Sequence, residues 1–189
     1  MDDLLIYSDN NNAHTTCTKR VLQCMKELDL YLKLEKCSFA VCEVEYLGMI
    51  VKPSSLAMDP VKVAGIAKWP TPSTVKDIRS FLGFANFYQH FVPHYSDTAH
   101  SLLDLTKKSH LWKWDEPCNS AFTTLKKAFT SQPVLLLPNL SAPFTISTDA
   151  SKHASGGVLL QADINGEWHP CAYLSQTLGP AERNYDIYN

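Results

Sequence analysis

Three aspartates stand where a carboxylate could bind a divalent metal ion. Asp2 and Asp3 are adjacent and lead directly into the apolar run at 4–7, and Asp149 follows the alternating stretch FTIST. Buried acids are costly unless they bind a cation or stay hydrated. Several carboxylates holding two metal ions about 4 Å apart are the usual device for phosphoryl transfer. Asp2, Asp3 and Asp149 are therefore our candidate catalytic and metal-binding residues.

Each candidate also has a simpler interpretation. Two adjacent acids at a chain terminus are commonly just solvated. An aspartate at the end of a strand commonly caps the turn that follows it, and Ala150–Ser151 follows Asp149 here. These residues alone leave both interpretations open.

The elements that must position these acids begin with strands and one helix. The pattern predicts a buried strand over 4–8, then a helix that is capped by Asn11 or Asn12 and runs to about Leu30. It further predicts a strand over 30–41, a strand pair over 43–52 that turns at Gly48, and a linker over 53–60.

Helices follow, and then a second group of strands. Asp59 and Pro60 predict the start of a helix over 58–69, and Thr74 and Asp77 have the spacing of a capping box for a helix to about His90. Further patterns predict helices over 96–108 and 119–131, three strands after Pro143, and a hairpin at Asn165-Gly166 between the second and third of them.

Composition narrows the class of protein. Apolar residues make up 45% of the 189 residues, enough for a folded core, and the net charge of −2 gives no global sign of nucleic-acid binding. Between residues 52 and 108, however, the sequence has seven Lys and Arg residues and four acidic residues, a local excess of three positive charges. A solvated helical face explains that excess as well as a phosphate-binding one.

The cysteines and the hydropathy of the sequence indicate its cellular compartment. None of the six cysteines has zinc-ligand spacing, and no leader peptide precedes them, so we expect free thiols in an intracellular, not secreted, protein. No apolar run approaches the roughly 20 residues of a membrane span, so we expect no membrane partner.

Together, the motifs resemble the reverse transcriptase of gypsy-type LTR retrotransposon Pol polyproteins. MDDLLIYS resembles the Tyr-x-Asp-Asp turn without its Tyr, and LYLKLEKCSF is similar to the next palm motif. The remaining motifs follow in the family's order: EYLGMIV at 45–51 is similar to the primer-grip hairpin, 66–96 to the thumb, 111–135 to the connecting segment, and 144–161 with 169–185 to the RNase H domain.

The resemblance implies an α+β fold: the C-terminal remnant of a reverse transcriptase palm with a helical thumb, followed by a truncated RNase H-like antiparallel sheet. The implied domains are the end of the palm at 1–52, the thumb at 53–108, the connection at 109–142 and the start of the RNase H-like domain at 143–189. One departure is Asp29, where the family usually has glycine.

The resemblance also implies roles for individual residues. Asp2 would be a polymerase metal ligand with Asp3 as its neighbour, and Asp149 the first RNase H acid, with Mg²⁺ or Mn²⁺ as cofactor of the complete parent enzyme. The implied nucleic-acid contacts are Lys36, Gly48, Gly83, Asn86 and Phe87, with Tyr88 as a further surface aromatic. Helix packing remains the alternative for Gly83, and a strand-edge lysine the alternative for Lys36.

The expected function is that of a fragment of an RNA-directed DNA polymerase with RNase H. Its expected partners are RNA/DNA hybrid or primer–template, bound weakly, and the remaining parts of the Pol polyprotein. We expect no activity from the chain alone, because the fingers, the earlier palm acid and the later RNase H acids lie outside the sequence. The alternative is a non-catalytic remnant or nucleic-acid-binding module.

Overall fold

A computed structural model describes residues 3–8, 10–108, 110–131, 133–151, 153–179 and 181–184. These residues form helices and two antiparallel sheets, which confirms the α+β class. The helices are α1 (Asn11–Glu27), α2 (Pro60–Ala67), α3 (Val75–Phe87), α4 (Tyr95–Asp104) and α5 (Glu116–Thr130). The strands are β1 (Val44–Tyr46), β2 (Met49–Val51), β3 (Ser55–Met58), β4 (Val134–Leu136), β5 (Thr145–Ala150), β6 (Ala154–Ala162) and β7 (Trp168–Thr177).

The first sheet has the strand order β1-β2-β3-β4. The predicted strand pair over 43–52 is confirmed, with Leu47 and Gly48 both at positive φ in its tight turn. The predicted linker over 53–60 is wrong, because β3 lies inside it. That strand pairs on one side with β2 and on the other with β4, whose residues come far later in the chain, so no local pattern reveals it.

Helices α2 to α5 pack around the main apolar core. Its largest fully buried side chains are Ile66, Ile78, Phe81, Leu102, Leu125 and Phe129. The predicted caps are confirmed: Asp59 accepts a hydrogen bond from the Val61 N–H, and Thr74 and Asp77 form a reciprocal capping box. These caps fix where α2 and α3 begin.

The second sheet, β5-β6-β7, confirms the three strands predicted after Pro143. Its hairpin is also confirmed: the Gly166 N–H donates to the Asp163 carbonyl at 3.0 Å, and Gly166 has φ +81°. The sheet contacts the helices through hydrogen bonds, including one from the Ser96 N–H to Ser175 Oγ at 2.9 Å. Tyr173 also packs against the helical core.

The predicted strands over 4–8 and 30–41 are wrong. Residues 3–8 have no regular structure, and the second segment contains only a 3₁₀ turn, Leu34–Lys36. Apolar residues there are exposed, with Leu34 at 72% and Tyr31 at 94%. An alternating pattern forms a strand only where a partner strand supplies hydrogen bonds, and neither segment has one among the described residues.

Helix α1 begins one residue earlier than predicted and ends earlier. Asn10, rather than Asn11 or Asn12, accepts the capping hydrogen bond from the Ala13 N–H at 2.7 Å. At the other end the Leu30 N–H donates to Met25 and the Asp29 N–H to Lys26, while Asp29 has φ +54°. This is the geometry of a Schellman motif, which favours glycine at the left-handed position and so accounts for the family's usual residue there.

Across the part of the chain that the structure describes, no helix combines the length and apolar character that a membrane span requires.

Candidate nucleic-acid interface

Helix α3 has one buried face and one open face. Ile78, Phe81, Leu82 and Ala85 point into the core. The opposite face carries exposed residues at helical spacing, namely Lys76, Arg79, Ser80, Gly83 and Phe87. Cations, small residues and one aromatic on a single face can approach and neutralise a phosphate backbone.

Gly83 lies on the open face with free space above it. A Cβ placed on Gly83 would meet no atom within 4 Å apart from its own helix and neighbours. Among the described residues, then, Gly83 is not a packing glycine, and the helix-packing alternative does not hold. The helix loses stability by having glycine in its interior, which is consistent with a surface that must admit a closely approaching ligand.

The β1–β2 turn is held against the end of α3 by one hydrogen bond. The Tyr88 hydroxyl donates to the Gly48 carbonyl at 2.8 Å. A Cβ on Gly48 would stand 2.8 Å from the Tyr88 hydroxyl oxygen and 4.0 Å from the Phe87 ring. Since Phe87 follows Gly83 by one helical turn, Gly48, Phe87 and Gly83 form one continuous surface.

Tyr88 is not the surface aromatic that the sequence suggested. It is only 3% exposed, and it packs between Phe84 and Phe91 while its hydroxyl reaches the hairpin. Burial, and then the charges of Asp59 and Glu45, raise the pKa of Tyr88 above its usual value. A phenol held in its neutral form keeps the proton it donates to Gly48. Of the two predicted surface aromatics, Phe87 and Tyr88, it is Phe87 that is exposed, at 55%.

Asn86 has a structural task as well. Its Oδ1 accepts a hydrogen bond of 2.7 Å from the hydroxyl of Tyr95, which is buried and whose pKa is raised by that burial. The side-chain nitrogen of Asn86 has no hydrogen-bond partner among the described residues. Asn86 can therefore present a fixed N–H donor beside Gly83 while it satisfies Tyr95.

Lys36 lies in the exposed 3₁₀ turn rather than at a strand edge, so the strand-edge alternative is wrong. It forms no ion pair with any described residue.

The structure describes two of the three predicted metal ligands, Asp3 and Asp149. Asp2 lies outside the described residues, and Asp3 is exposed in a segment without regular structure. Asp149 lies in β5 opposite Gly156, and its Oδ1 accepts a hydrogen bond from the Ala150 N–H at 2.9 Å. That bond does not cap the turn that follows, because the side chain at that turn is Ser151, whose Oγ accepts from the N–H groups of His153 and Ala154.

Asp149 borders an open cleft of about 230 Å³ between the second sheet and the Pro93–His94 turn. It is the one acid among the described residues that line this cleft; the others include Ser147 and Tyr173. A single carboxylate does not fit a site for two divalent metals. The described part of the chain therefore does not by itself assemble the metal centre that the resemblance implies.

The described residues contain one group of three possible metal ligands, which sequence reasoning missed. Asp163, Glu167 and His169 lie together at the β6–β7 hairpin. The backbone N–H groups of Glu167 and Asn165, and His169, hydrogen-bond to Asp163 and lower its pKa. Those bonds hold the hairpin turn together, and this explains why the three side chains lie close to one another.

Comparisons with known proteins agree with this layout. Residues 1–51 match a family model described as reverse transcriptase (RNA-dependent DNA polymerase), and residues 114–189 match an RNase H-like domain found in reverse transcriptase. The chain is 36% identical over 186 residues to a retrovirus-related Pol polyprotein from transposon 297 of Drosophila melanogaster, and 32% identical over 187 residues to the Tf2-3 transposon polyprotein of Schizosaccharomyces pombe. These alignments cover 98% and 99% of this chain. The chain belongs to the gypsy-type retrotransposon Pol family.

This Pol chain spans only 17% and 14% of the length of those two relatives. Solved structures share its fold: that of the foamy viral protease-reverse transcriptase in complex with RNA/DNA hybrid superposes with a TM-score of 0.76 at 20% identity. It covers 96% of this chain and 25% of the foamy viral one. A related foamy viral complex with dsDNA gives a TM-score of 0.75. Reverse transcriptases and their RNases H generally depend on divalent metal ions.

Proposed function

We propose that this Pol chain grips the primer–template for an RNA-directed DNA polymerase with RNase H. The observation that carries the proposal is the continuous surface of Gly48, Gly83 and Phe87, with the hairpin held in place by Tyr88. Lys76 and Arg79 extend the same face of α3. Since phosphate contacts carry no base information, the binding is independent of sequence.

We propose four parts along the chain, in the order that the resemblance implies. The end of the palm is 1–52, the thumb 53–108, the connection 109–142, and the start of the RNase H-like domain 143–189. Pairing between β3 and β4 supports a connection that folds back onto the start of the thumb.

We propose further that this chain alone catalyses neither reaction. The cleft beside Asp149 supports this, because Asp149 is the one acid among the described residues that line it, and two-metal chemistry needs several ligands in one place. Asp2, Asp3 and Asp149 would be ligands of Mg²⁺, or of Mn²⁺ in its place, only when the remaining parts of a Pol polyprotein complete each site. An intracellular location follows from the same role.

A binding titration tests the grip. Fluorescence anisotropy of a labelled RNA/DNA hybrid should show a dissociation constant on the order of 10⁻⁴–10⁻⁶ M that rises with salt. Absence of binding at low salt would overturn the proposal.

A primer-extension assay tests inactivity. The chain, a primer–template, all four deoxynucleotides and Mg²⁺ should give no product. Template-dependent extension that Asp2→Asn abolishes would show that this chain is itself a polymerase.

The second candidate function is a non-catalytic nucleic-acid-binding module. The single acid among the described residues that line the cleft beside Asp149 favours it. Hybrid binding without extension, even after the remaining Pol regions are added as separate polypeptides, would distinguish this module from a functional enzyme part.

A further inference from the structure

The segment that joins α4 to α5 carries an exposed aromatic stack outside the α3 surface. Trp112 and Trp114 are nearly parallel, at 27°, with their ring centroids 6.3 Å apart. Trp114 is partly buried and meets Phe122 of α5 edge to face, at 5.9 Å. Trp114 thus anchors the stack, while Trp112 remains 36% exposed and the preceding Leu111 88% exposed.

Positive charge surrounds this stack in the sequence. Lys107, Lys108 and Lys113 are exposed, and His110 is exposed between them. Lys107 is paired with Asp104, but Lys108 makes no hydrogen bond or ion pair with any described residue. The next acid along the chain, Asp115, is engaged as the N-cap of α5 through the Cys118 N–H.

This segment is tied to the helix that carries the proposed duplex-binding face. Arg79 Nη2 donates to the Thr106 carbonyl at 3.2 Å. Arg79 precedes Gly83 by one helical turn, so the aromatic segment begins beside the open face of α3.

We propose that Trp112, with Lys108 and Lys113, forms a binding site for single-stranded nucleic acid. An aromatic face with flanking cations suits unpaired bases, because each base can stack on the ring while a phosphate meets an ammonium group. Paired bases inside a duplex present no free face to Trp112, so the site distinguishes single strands from duplexes. Its use on unpaired template rests on the proposed function, but the site itself does not require the α3 surface.

Titration of the full chain with a fluorescein-labelled oligo(dT) strand tests the site. Trp112→Leu should weaken binding by about tenfold, the size expected when one base loses its aromatic partner, and Trp112→Phe should stay within about threefold of wild type. Trp168→Leu is the matched control, because Trp168 is also exposed, at 54%, but lies in the second sheet; it should bind as wild type does.

The cations give a second readout. Lys108→Ala combined with Lys113→Ala should reduce the slope of log affinity against log salt by about 1.4, since each phosphate contact to a single strand contributes about 0.7. An unchanged slope would remove these lysines from the site.

A parallel titration with RNA/DNA hybrid separates this site from the proposed duplex grip. Trp112→Leu should leave hybrid binding unchanged, and Gly83→Leu should leave oligo(dT) binding unchanged. Failure of hybrid binding alone would overturn only the duplex grip. Equal oligo(dT) binding by wild type and Trp112→Leu overturns the single-strand site, as does a Trp112→Leu effect confined to self-association measured by light scattering.

Discussion

Two glycines on the candidate interface serve opposite purposes. Gly48 is required by the fold, because it combines φ +73° with a close approach to the Tyr88 hydroxyl. Gly83 is unnecessary for the fold, because it has ordinary helical geometry and open space around its Cα. Substitutions at the two positions should therefore separate stability from binding.

Gly48→Ala should lower the free energy of unfolding by about 2 kcal/mol. The left-handed conformation is strained for alanine, and its Cβ would force the Tyr88 ring to shift. Urea denaturation measures the loss. Gly65→Ala is the matched control, since nothing lies within 4 Å of a Cβ there, and it should stabilise α2 by about 0.5–1 kcal/mol. Equal effects at both positions would contradict the role of the Tyr88 contact.

Gly83→Ala should raise the free energy of unfolding by about 0.5–1 kcal/mol, because alanine favours a helix interior over glycine. Gly83→Leu should also fold normally, yet weaken hybrid binding by blocking close approach. Denaturation and anisotropy on the same preparations measure both effects. Asp149→Asn serves as the binding control, with affinity equal to wild type. A Gly83→Leu variant that binds as wild type does would remove α3 from the interface.

At the scale of elements, the start of α3 decides how its open face is presented. Asp77 accepts hydrogen bonds from the backbone N–H groups of Ser73 and Thr74 and from the Ser73 hydroxyl. The Thr74 hydroxyl in return accepts the Asp77 N–H. These bonds, with the Ser73 backbone N–H contributing most, hold the pKa of Asp77 below its usual value.

The capping box should therefore contribute a pH-dependent part of the stability. Because the folded-state pKa is lowered, the stabilisation is complete above the unfolded pKa of about 4 and is lost as pH falls through the folded value. Asp77→Asn should show a shallower decline in unfolding free energy between about pH 5 and pH 2 than wild type. Asp3→Asn, at an exposed position outside any helix or strand, is the control and should parallel wild type. An Asp77→Asn curve parallel to wild type would contradict the assignment.

At the scale of the whole molecule, the two sheets are supported unequally. The first sheet contributes Met58 and Leu135 to the main core around α2 to α5. In the second sheet, the buried apolar residues among those described are Ala154 and Cys171, and every residue of β5 is exposed. Three strands with so little buried surface are marginal by themselves.

The second sheet should accordingly open before the helical core. Cys118 in α5 and Cys171 in β7 report on the two parts, since burial raises the pKa of both thiols, that of Cys118 to about 11, and disfavours reaction with iodoacetamide in the folded state. We expect Cys171 to be alkylated at a lower urea concentration than Cys118, as followed by peptide mass spectrometry.

The exposed Cys17 and Cys24 serve as internal controls and should react without denaturant. If Cys118 and Cys171 instead become reactive at the same urea concentration, the two parts unfold as a single cooperative unit.

The sequence by itself determined the features whose hydrogen bonds are local. These features are the caps at Asp59 and Thr74, the turn at Gly48 and the hairpin at Gly166. Each involves residues within a few positions of one another, so the spacing of residue types in the sequence predicts it. Gly83, Phe87 and Asp149 were also singled out from motifs, and the structure gives their surroundings.

Only the tertiary structure decided the contacts between distant segments. β3 forms because β4 pairs with it. Tyr88 is buried because the hairpin 40 residues earlier lies against α3. Trp112 is held in its orientation because it stacks on Trp114, which packs on α5. Conversely, the predicted strand over 30–41 fails because no described partner pairs with it. Burial and strand pairing depend on which distant segments pack together, and a local pattern of side chains does not specify those segments.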